Sequence, residues 1–319
     1  MTGKLKRKAA SKGAFLNRTV LVTGSAGFIG SSLLPRLVPL ASHVIAWDRS
    51  HDVRDKKTWK LAVKHADTLV LLAAQTSAVY ANNHPLEDVS LNLLPVVHFI
   101  DECRRTGRRP DVIFAGTVTE VGLTTDYPVD ESFPELPRTV YDIDKLAAEK
   151  YLRYYALEMG GRSVTLRLGN VYGPGPLARR DRGVVNRMVR TALLGKPLTV
   201  FGKGNEVRDY NYINDVVDAF LRAGQQIGPL SSHVFVIGSG KGFTISQMAR
   251  LIAEEVEAST GKKIAVKHVQ PPKHSLSIES RSFVADSKAF SKATGWRSRT
   301  GLREGIQHTI AFYSKDNTR

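Results

Sequence analysis

The sequence predicts an α/β protein built on a doubly wound parallel sheet, followed by a smaller mixed α/β region. Three observations carry this. Short β-branched runs alternate with longer amphipathic runs through the first half of the 319-residue chain. The first such run ends in a glycine-rich turn that opens a helix. Strands that alternate with helices of this length pair in parallel, with helices on both faces.

The elements follow in order. Thr19 to Thr23 is the first strand, and Phe28 to Val38 the first helix. Pro35 and Pro39 sit poorly in a helix interior, so this helix is expected to be kinked or short. His43 to Trp47, Thr68 to Ala73, Val112 to Ala115 and Ser163 to Leu168 read as further strands. Lys56 to Lys64, Leu91 to Arg105 and Tyr141 to Glu158 read as the intervening helices. After Asn170 the rhythm breaks at Pro174, Gly175 and Pro176. A helix near Val184 to Leu194, a short strand near Leu198 to Phe201 and a loop at Gly202 to Gly204 follow. The expected organisation is a basic tail over 1–17, a cofactor domain over 18–170 with returns near 205–240, and a substrate domain over 171–204 and 241–319.

Composition bounds the function. Apolar residues make up 42% and charged residues 24%, ordinary for a soluble globular protein. No run of 18 apolar residues exists, so no membrane span is expected. One cysteine, Cys103, excludes an intramolecular disulfide, and a cytoplasmic, reducing location is the expectation. The nine histidines show no metal-ligand spacing, and no metal is expected. The net charge is +16, of which Met1 to Arg18 contributes six. The remaining ten suit either nucleic acid or polyanionic small molecules. No zinc-finger spacing, RNP-like aromatic motif or helix-turn-helix supports nucleic acid.

Two constellations carry chemistry. The segment Gly24-Ser-Ala26-Gly27-Phe28-Ile29-Gly30 follows a strand and opens a helix. Glycines let the backbone approach a pyrophosphate, and the helix start offers unpaired N–H groups and partial positive charge. Asp48 lies 18 residues beyond Gly30, where an acid can bond a ribose 2′-hydroxyl. Asp48 favours NAD; the adjacent Arg49 could admit NADP, and the choice stays open. The second is Tyr141-Asp-Ile-Asp-Lys145, which places tyrosine and lysine on one helical face. An ammonium nearby is expected to lower the phenol's pKa from about 10, so that tyrosine can exchange a proton with an alcohol or carbonyl. That spacing is common by chance. Thr117, after the fourth strand, supplies a hydroxyl for the same oxygen.

With these residues in view, the chain resembles the extended short-chain dehydrogenase/reductases, the NAD-dependent epimerase/dehydratase family, from about Arg18 to its end. TGSAGFIG at 23–30 resembles the family's cofactor turn, and LLAAQTS at 71–77 its third-strand motif, which implies cofactor contacts from Leu72, Ala73, Ala74 and Thr76. Asp52 and Val53 resemble the pair that holds adenine, and Asn92 the central asparagine. The resemblance makes Thr117, Tyr141 and Lys145 the catalytic group, with Lys145 also bonding the nicotinamide ribose, and implies a Rossmann-type fold and NAD or NADP. LRLGNVYGPG at 166–175 and the segment 196–217 resemble nucleotide-sugar signatures. They imply a nucleotide-sugar substrate, with Asn170 and Arg208 at its diphosphate, Arg281 at its diphosphate or ribose, and Thr117, Val118 and Val184 nearby. A homodimer through the helices of Leu91 to Arg105 and Tyr141 to Glu158 is implied by resemblance only.

The departures are informative. Sugar 4,6-dehydratases carry Asp-Glu directly after the catalytic threonine. Here Val118 and Thr119 stand there, Glu120 is one place late, and the usual tyrosine before the glycine is Val121. Dehydration is therefore disfavoured. FAGTVTEVG with YDIDKLAAEK is closer to deoxysugar 4-ketoreductases than to galactose-type 4-epimerases. The expected activity is hydride transfer at C4 of a nucleoside-diphosphate sugar, as a 4-keto-hexose reductase or, alternatively, a 4-epimerase. A dinucleotide-sensing regulator would not need Thr117, Tyr141 and Lys145. A flavonoid or steroid ketone would not need Asn170, Arg208 and Arg281.

Overall fold

A computed structural model describes residues 15–124, 126–176, 183–271 and 280–316. Eleven strands are present among them: β1 Thr19–Thr23, β2 His43–Trp47, β3 Thr68–Leu71, β4 Asp111–Thr117, β5 Arg162–Leu168, β6 Asn170–Tyr172, β7 Leu198–Phe201, β8 Val207–Tyr212, β9 Val234–Ile237, β10 Gly242–Thr244 and β11 Val266–Val269. Six form one sheet in the order β2-β1-β3-β4-β5-β9. Every pairing in it is parallel. The chain leaves β1 for β2 on one side and later returns to place β3 on the other. Ligands of open parallel sheets bind at the carboxyl ends of the strands flanking such a switch. The remaining strands form a three-stranded sheet, β10-β8-β6, and the two-stranded β11-β7.

Period-two alternation sorts the core onto two faces. Val20, Val22, Val70 and Val164 enter one apolar cluster with Leu33 and Leu37 of the helix Phe28–Leu37 and Val217 and Phe220 of the helix Ile213–Gln225. Leu21, Leu69, Leu71 and Phe114 enter the other. There they meet Trp59 of Lys56–His65, Phe99 of Leu94–Thr106 and Leu152 of Val140–Glu158. β3 is buried along its whole length, as a central parallel strand must be.

Several expected boundaries are corrected. The strand from Thr68 stops at Leu71 because the N–H groups of Leu72 and Ala73 both turn to Thr23 Oγ1, at 3.1 Å each. The helix expected over Leu91 to Arg105 is two helices, Pro85–Asn92 and Leu94–Thr106. Pro95 lies in the first turn of the second, where its missing N–H leaves no bond unmade, and it marks the break. The first helix contains Pro35 and ends at Leu37, ten residues in all. The tail over 1–17 lies outside the described residues up to position 14. Among the described residues no helix is long and apolar enough to cross a membrane.

Candidate active site

The glycine turn is built by contact. Gly24 adopts φ +66°, and a Cβ there would sit 2.8 Å from Ala73 N. A Cβ on Gly30 would lie 2.3 Å from Gly24 O and 2.8 Å from Ser25 Cα. Both glycines are thus required for the helix to press against β1 while the end of β3 closes alongside. Gly27 caps that helix with no side chain occupying its first N–H groups. The cradle therefore fits a dinucleotide pyrophosphate: backbone only, close-packed beneath, with donors directed outward. Ala26 and Gly27 are exposed, and Phe28 and Ile29 half-buried, on its outer rim.

The other expected cofactor residues fall around this turn. Asp48 follows β2, exposed, and accepts from Ser50 N at 2.9 Å, which holds its carboxyl below the usual range. Arg49 is exposed beside it. Leu72, Ala73 and Ala74 are half-buried where β3 ends, with Thr76 exposed beyond them. Asp52 is engaged by Arg54, whose Nη2 lies 2.6 Å away. Val53 is buried, and its carbonyl accepts from Trp59 Nε1 at 2.8 Å. Asn92 is also turned inward: its Nδ2 donates to Gln75 O at 2.9 Å and to Asp88 Oδ2 at 3.0 Å.

Thr117, Tyr141 and Lys145 are brought together at the carboxyl end of β4. Thr139 caps the helix Val140–Glu158 in a reciprocal box with Asp142, which fixes Tyr141 in the first turn and Lys145 one turn later. The Thr117 side chain lies close enough to the Tyr141 hydroxyl to lower its pKa. Thr117 in turn caps the 3₁₀ turn Val118–Val121 and lies 2.9 Å from Thr119 Oγ1. Lys145 is buried, with its Nζ 3.9 Å from the centroid of the Phe114 ring.

The electrostatics differ from the expectation. Burial pushes the Tyr141 phenol above its ordinary value, an ionised Glu120 would push it further, and the Thr117 side chain opposes them. Lys145 shares that burial. Its own pKa is lowered by burial to about 8, while Glu120, Asp88 and Glu149 help it keep its proton.

Those carboxylates are the feature that sequence reasoning missed. Asp88 and Asp144 are both buried, and Asp144 is pushed up to about 7 by burial and by the facing Asp88. Asp88 receives Gln75 Nε2 at 2.7 Å as well as Asn92. Asp144 therefore carries the pair's proton. The second acid in YDIDK was the available signal, since an acid in the turn between Tyr141 and Lys145 shares a helix with the catalytic pair.

On the substrate side, Asn170 and Val184 line one cavity of about 440 Å³ with Thr76, Ser77, Tyr172 and Gly183. Arg208 donates to Val207 O and to Arg281 O, so the two arginines lie side by side. Arg281 is buried, and its Nε and Nη1 have no partner among the described residues. Burial and Arg208 depress it to about 10. Two adjacent guanidinium groups, one with donors still to be satisfied, are what a diphosphate demands. Val118 departs from expectation: it is buried in an apolar cluster with Val121, Val129, Val236 and Phe283. Among the described residues no group of His, Cys, Asp or Glu is placed to hold a metal ion.

Residues 20–238 match the NAD dependent epimerase/dehydratase family. A UDP-glucose 4-epimerase of Mycolicibacterium smegmatis is 30% identical over 92% of this chain and 97% of its own. A dTDP-4-dehydro-6-deoxyglucose reductase of Escherichia coli is 28% identical over 91% of this chain and 96% of its own. A UDP-glucose 4-epimerase of Thermotoga maritima, solved with UDP-glucose, superimposes with a TM-score of 0.85 at 28% identity, over 94% of this chain and 99% of that one. The chain belongs to the NAD-dependent epimerase/dehydratase family of extended short-chain dehydrogenase/reductases.

Proposed function

We propose that this protein transfers hydride at C4 of a nucleoside-diphosphate sugar, as an NAD(P)H-dependent reductase of a 4-keto-hexose. The observation that carries the sugar-nucleotide reading is the adjacent pair Arg208 and Arg281, the second buried with donors still to be satisfied among the described residues. The reductase preference rests on the wording around Thr117 and Tyr141, together with the full-length likeness to a 4-keto-deoxyhexose reductase. The 4-epimerase is the second reading, favoured by the likeness to two UDP-glucose 4-epimerases.

The turn from Gly24 to Gly30 would hold the pyrophosphate, Asp48 the adenosine ribose, and Leu72 to Ala74 the face leading to the nicotinamide. Bound there, the dinucleotide supplies or accepts the hydride. The chain's own task is the proton. Tyr141 gives its phenolic proton to the C4 oxygen as the alcohol forms, and Thr117 orients that oxygen and stabilises the phenolate left behind. Lys145 bonds the nicotinamide ribose and keeps a cation beneath the phenol. Arg208 and Arg281 fix the diphosphate, which sets C4 within reach and supplies rate through orientation. A homodimer is part of the proposal. Ile143, Tyr151 and Tyr154 on the helix Val140–Glu158 are 51%, 44% and 51% exposed, a partly apolar face suited to a second copy.

Purified protein decides between the readings. Oxidation of NADPH or NADH by an NDP-4-keto-6-deoxyhexose supports the reductase. Co-purified NAD with interconversion of UDP-glucose and UDP-galactose supports the epimerase. Failure of both reactions would overturn the sugar-nucleotide reading.

A further inference from the structure

Beneath the catalytic group lies a buried charge cluster that the proposed reaction does not use. Arg167, on β5, is 2% exposed. Its guanidinium meets three carboxylates: Glu149 at 2.6 Å, Glu135 at 2.5 Å and Glu120 at 2.8 Å. Lys150 also serves Glu135 at 2.5 Å and Glu149 at 3.5 Å. Arg167 and Lys150 donate hydrogen bonds to Glu135 and Glu149, whereas Glu120, which also faces Lys145, receives none from either. It is also the most enclosed of the three, with no measurable exposure.

The hydrogen bonding points the same way. Arg167 Nε carries one hydrogen, and it is donated to Glu149 Oε2 at 2.9 Å. Glu120 Oε2, though 2.8 Å from that nitrogen, receives no hydrogen bond among the described residues. Its other oxygen faces Thr117 N, at a long 3.4 Å. An ionised carboxylate buried without donors is costly, whereas a carboxylic acid in the same place is not.

We propose that Glu120 is a further positioning residue of this site, a buried carboxylic acid that stays protonated during turnover and so keeps a third negative charge away from Tyr141 and Lys145. The inference rests on the proposed hydride transfer for its functional meaning. The groups facing Glu120 are Arg167 from β5, and Tyr141, Lys145 and Glu149 from the helix Val140–Glu158. Burial first, then Glu149, push Glu120 up to about 8; Arg167 and Lys145 pull the other way. Were Glu120 ionised, its charge would oppose the phenolate that Tyr141 must become. Neutral, it still braces the Thr117 turn, since Glu120 closes the capping box on Thr117 N.

The test uses Glu120→Gln, a neutral residue of the same shape. Folding must place a proton on Glu120 at any pH between its unfolded value, near 4.5, and its folded value, about 8. The wild type therefore loses stability relative to the variant as pH rises through that window, and the gap levels off above it. We expect the difference in Tm, variant minus wild type, to grow steadily from pH 5 to pH 8. A difference that is flat or shrinks would mean an ionised Glu120 serving Arg167, and would overturn the inference. A second readout needs no variant: infrared spectra of protein labelled with 13C-carboxyl glutamate should show a protonated glutamic acid band at pH 7 that fades by pH 9.5. Its absence at pH 7 would also overturn the inference. Neither the melting nor the infrared readout depends on turnover, so a protein inactive on nucleotide sugars refutes the proposed reaction and not the protonated acid.

Discussion

Gly30→Ala isolates the cofactor turn from the rest of the fold. The added methyl would stand 2.3 Å from Gly24 O and 2.8 Å from Ser25 Cα and O. All three are backbone atoms, so no side chain can swing away. The first turn of the helix must lift from β1 by about 1 Å to restore ordinary contact. Alanine in a helix recovers up to about 1 kcal/mol over glycine, against an overpacking cost of about 1–3 kcal/mol. The net loss of stability should be no more than about 2 kcal/mol. Binding should suffer more. Lifting the helix start misplaces the N–H groups that face the pyrophosphate, and a hydrogen bond to a charged group is worth about 1.5–3 kcal/mol. Losing one raises the Kd for the dinucleotide about 10- to 100-fold. Calorimetric titration of NAD(H) beside a thermal melt measures both quantities. Gly107→Ala is the control. It has φ +75° at a helix end, and a Cβ there would meet no atom of the described residues within 4 Å. It should cost stability and leave Kd unchanged. Binding by Gly30→Ala within twofold of wild type would refute the assignment of the turn.

Other outcomes follow from the same geometry. Tyr141→Phe keeps the ring and removes the proton donor, so kcat should fall about 10²- to 10⁴-fold with cofactor affinity intact; a rate within tenfold of wild type sinks the assignment. Thr117→Val removes the hydroxyl that draws the phenol downward, and should cut kcat about tenfold or more, while Thr117→Ser should restore it. Equal damage from both would mean that Thr117 acts through its fold alone. Arg281→Met should raise KM for the nucleotide sugar about tenfold or more with little change in Tm, because the arginine's Nε and Nη1 have no partner among the described residues; an unchanged KM removes Arg281 from the diphosphate site. Tyr154→Glu places a charge on the exposed face of the helix Val140–Glu158, and light scattering should then report a monomer. A dimer that persists undiminished places the interface elsewhere.

Local chemistry made much of this legible in the sequence. The run Thr19 to Thr23, the turn after it and the YDIDK helix are each specified within about a dozen residues, so pattern and turn chemistry suffice. What escaped was non-local. β9 joins the sheet beside β5 after an excursion of more than sixty residues, and nothing in Val234–Ile237 names its neighbour. Leu72 and Ala73 read as strand because they are apolar, yet their N–H groups are claimed by a threonine of another strand. The buried acids were the hardest to see. Asp88, Asp144 and Glu120 stand in ordinary helical or turn contexts, where a carboxylate is normally solvated. Only the packing of the helices Pro85–Asn92 and Val140–Glu158 against the end of β4 turns them inward.

The usual account of a tyrosine–lysine pair gives the lysine the work of acidifying the phenol. Burying an ammonium costs several kcal/mol unless anions answer it. Lys145 is answered by Asp88 and Glu149 and by the face of Phe114. Asp88 can serve in this way because Gln75 and Asn92 stabilise its charge and Asp144 holds the pair's proton. Gln75 belongs to the segment that follows β3, so the same carboxylate that steadies the lysine also ties the catalytic helix to the rim of the cofactor crevice. Thr117 draws the phenol downward, and the charge of the buried Arg281 is favoured by an ionised Tyr141. Acid strength and substrate grip are thereby linked, since the arginine that would hold the diphosphate is also one of the cations the phenolate sees.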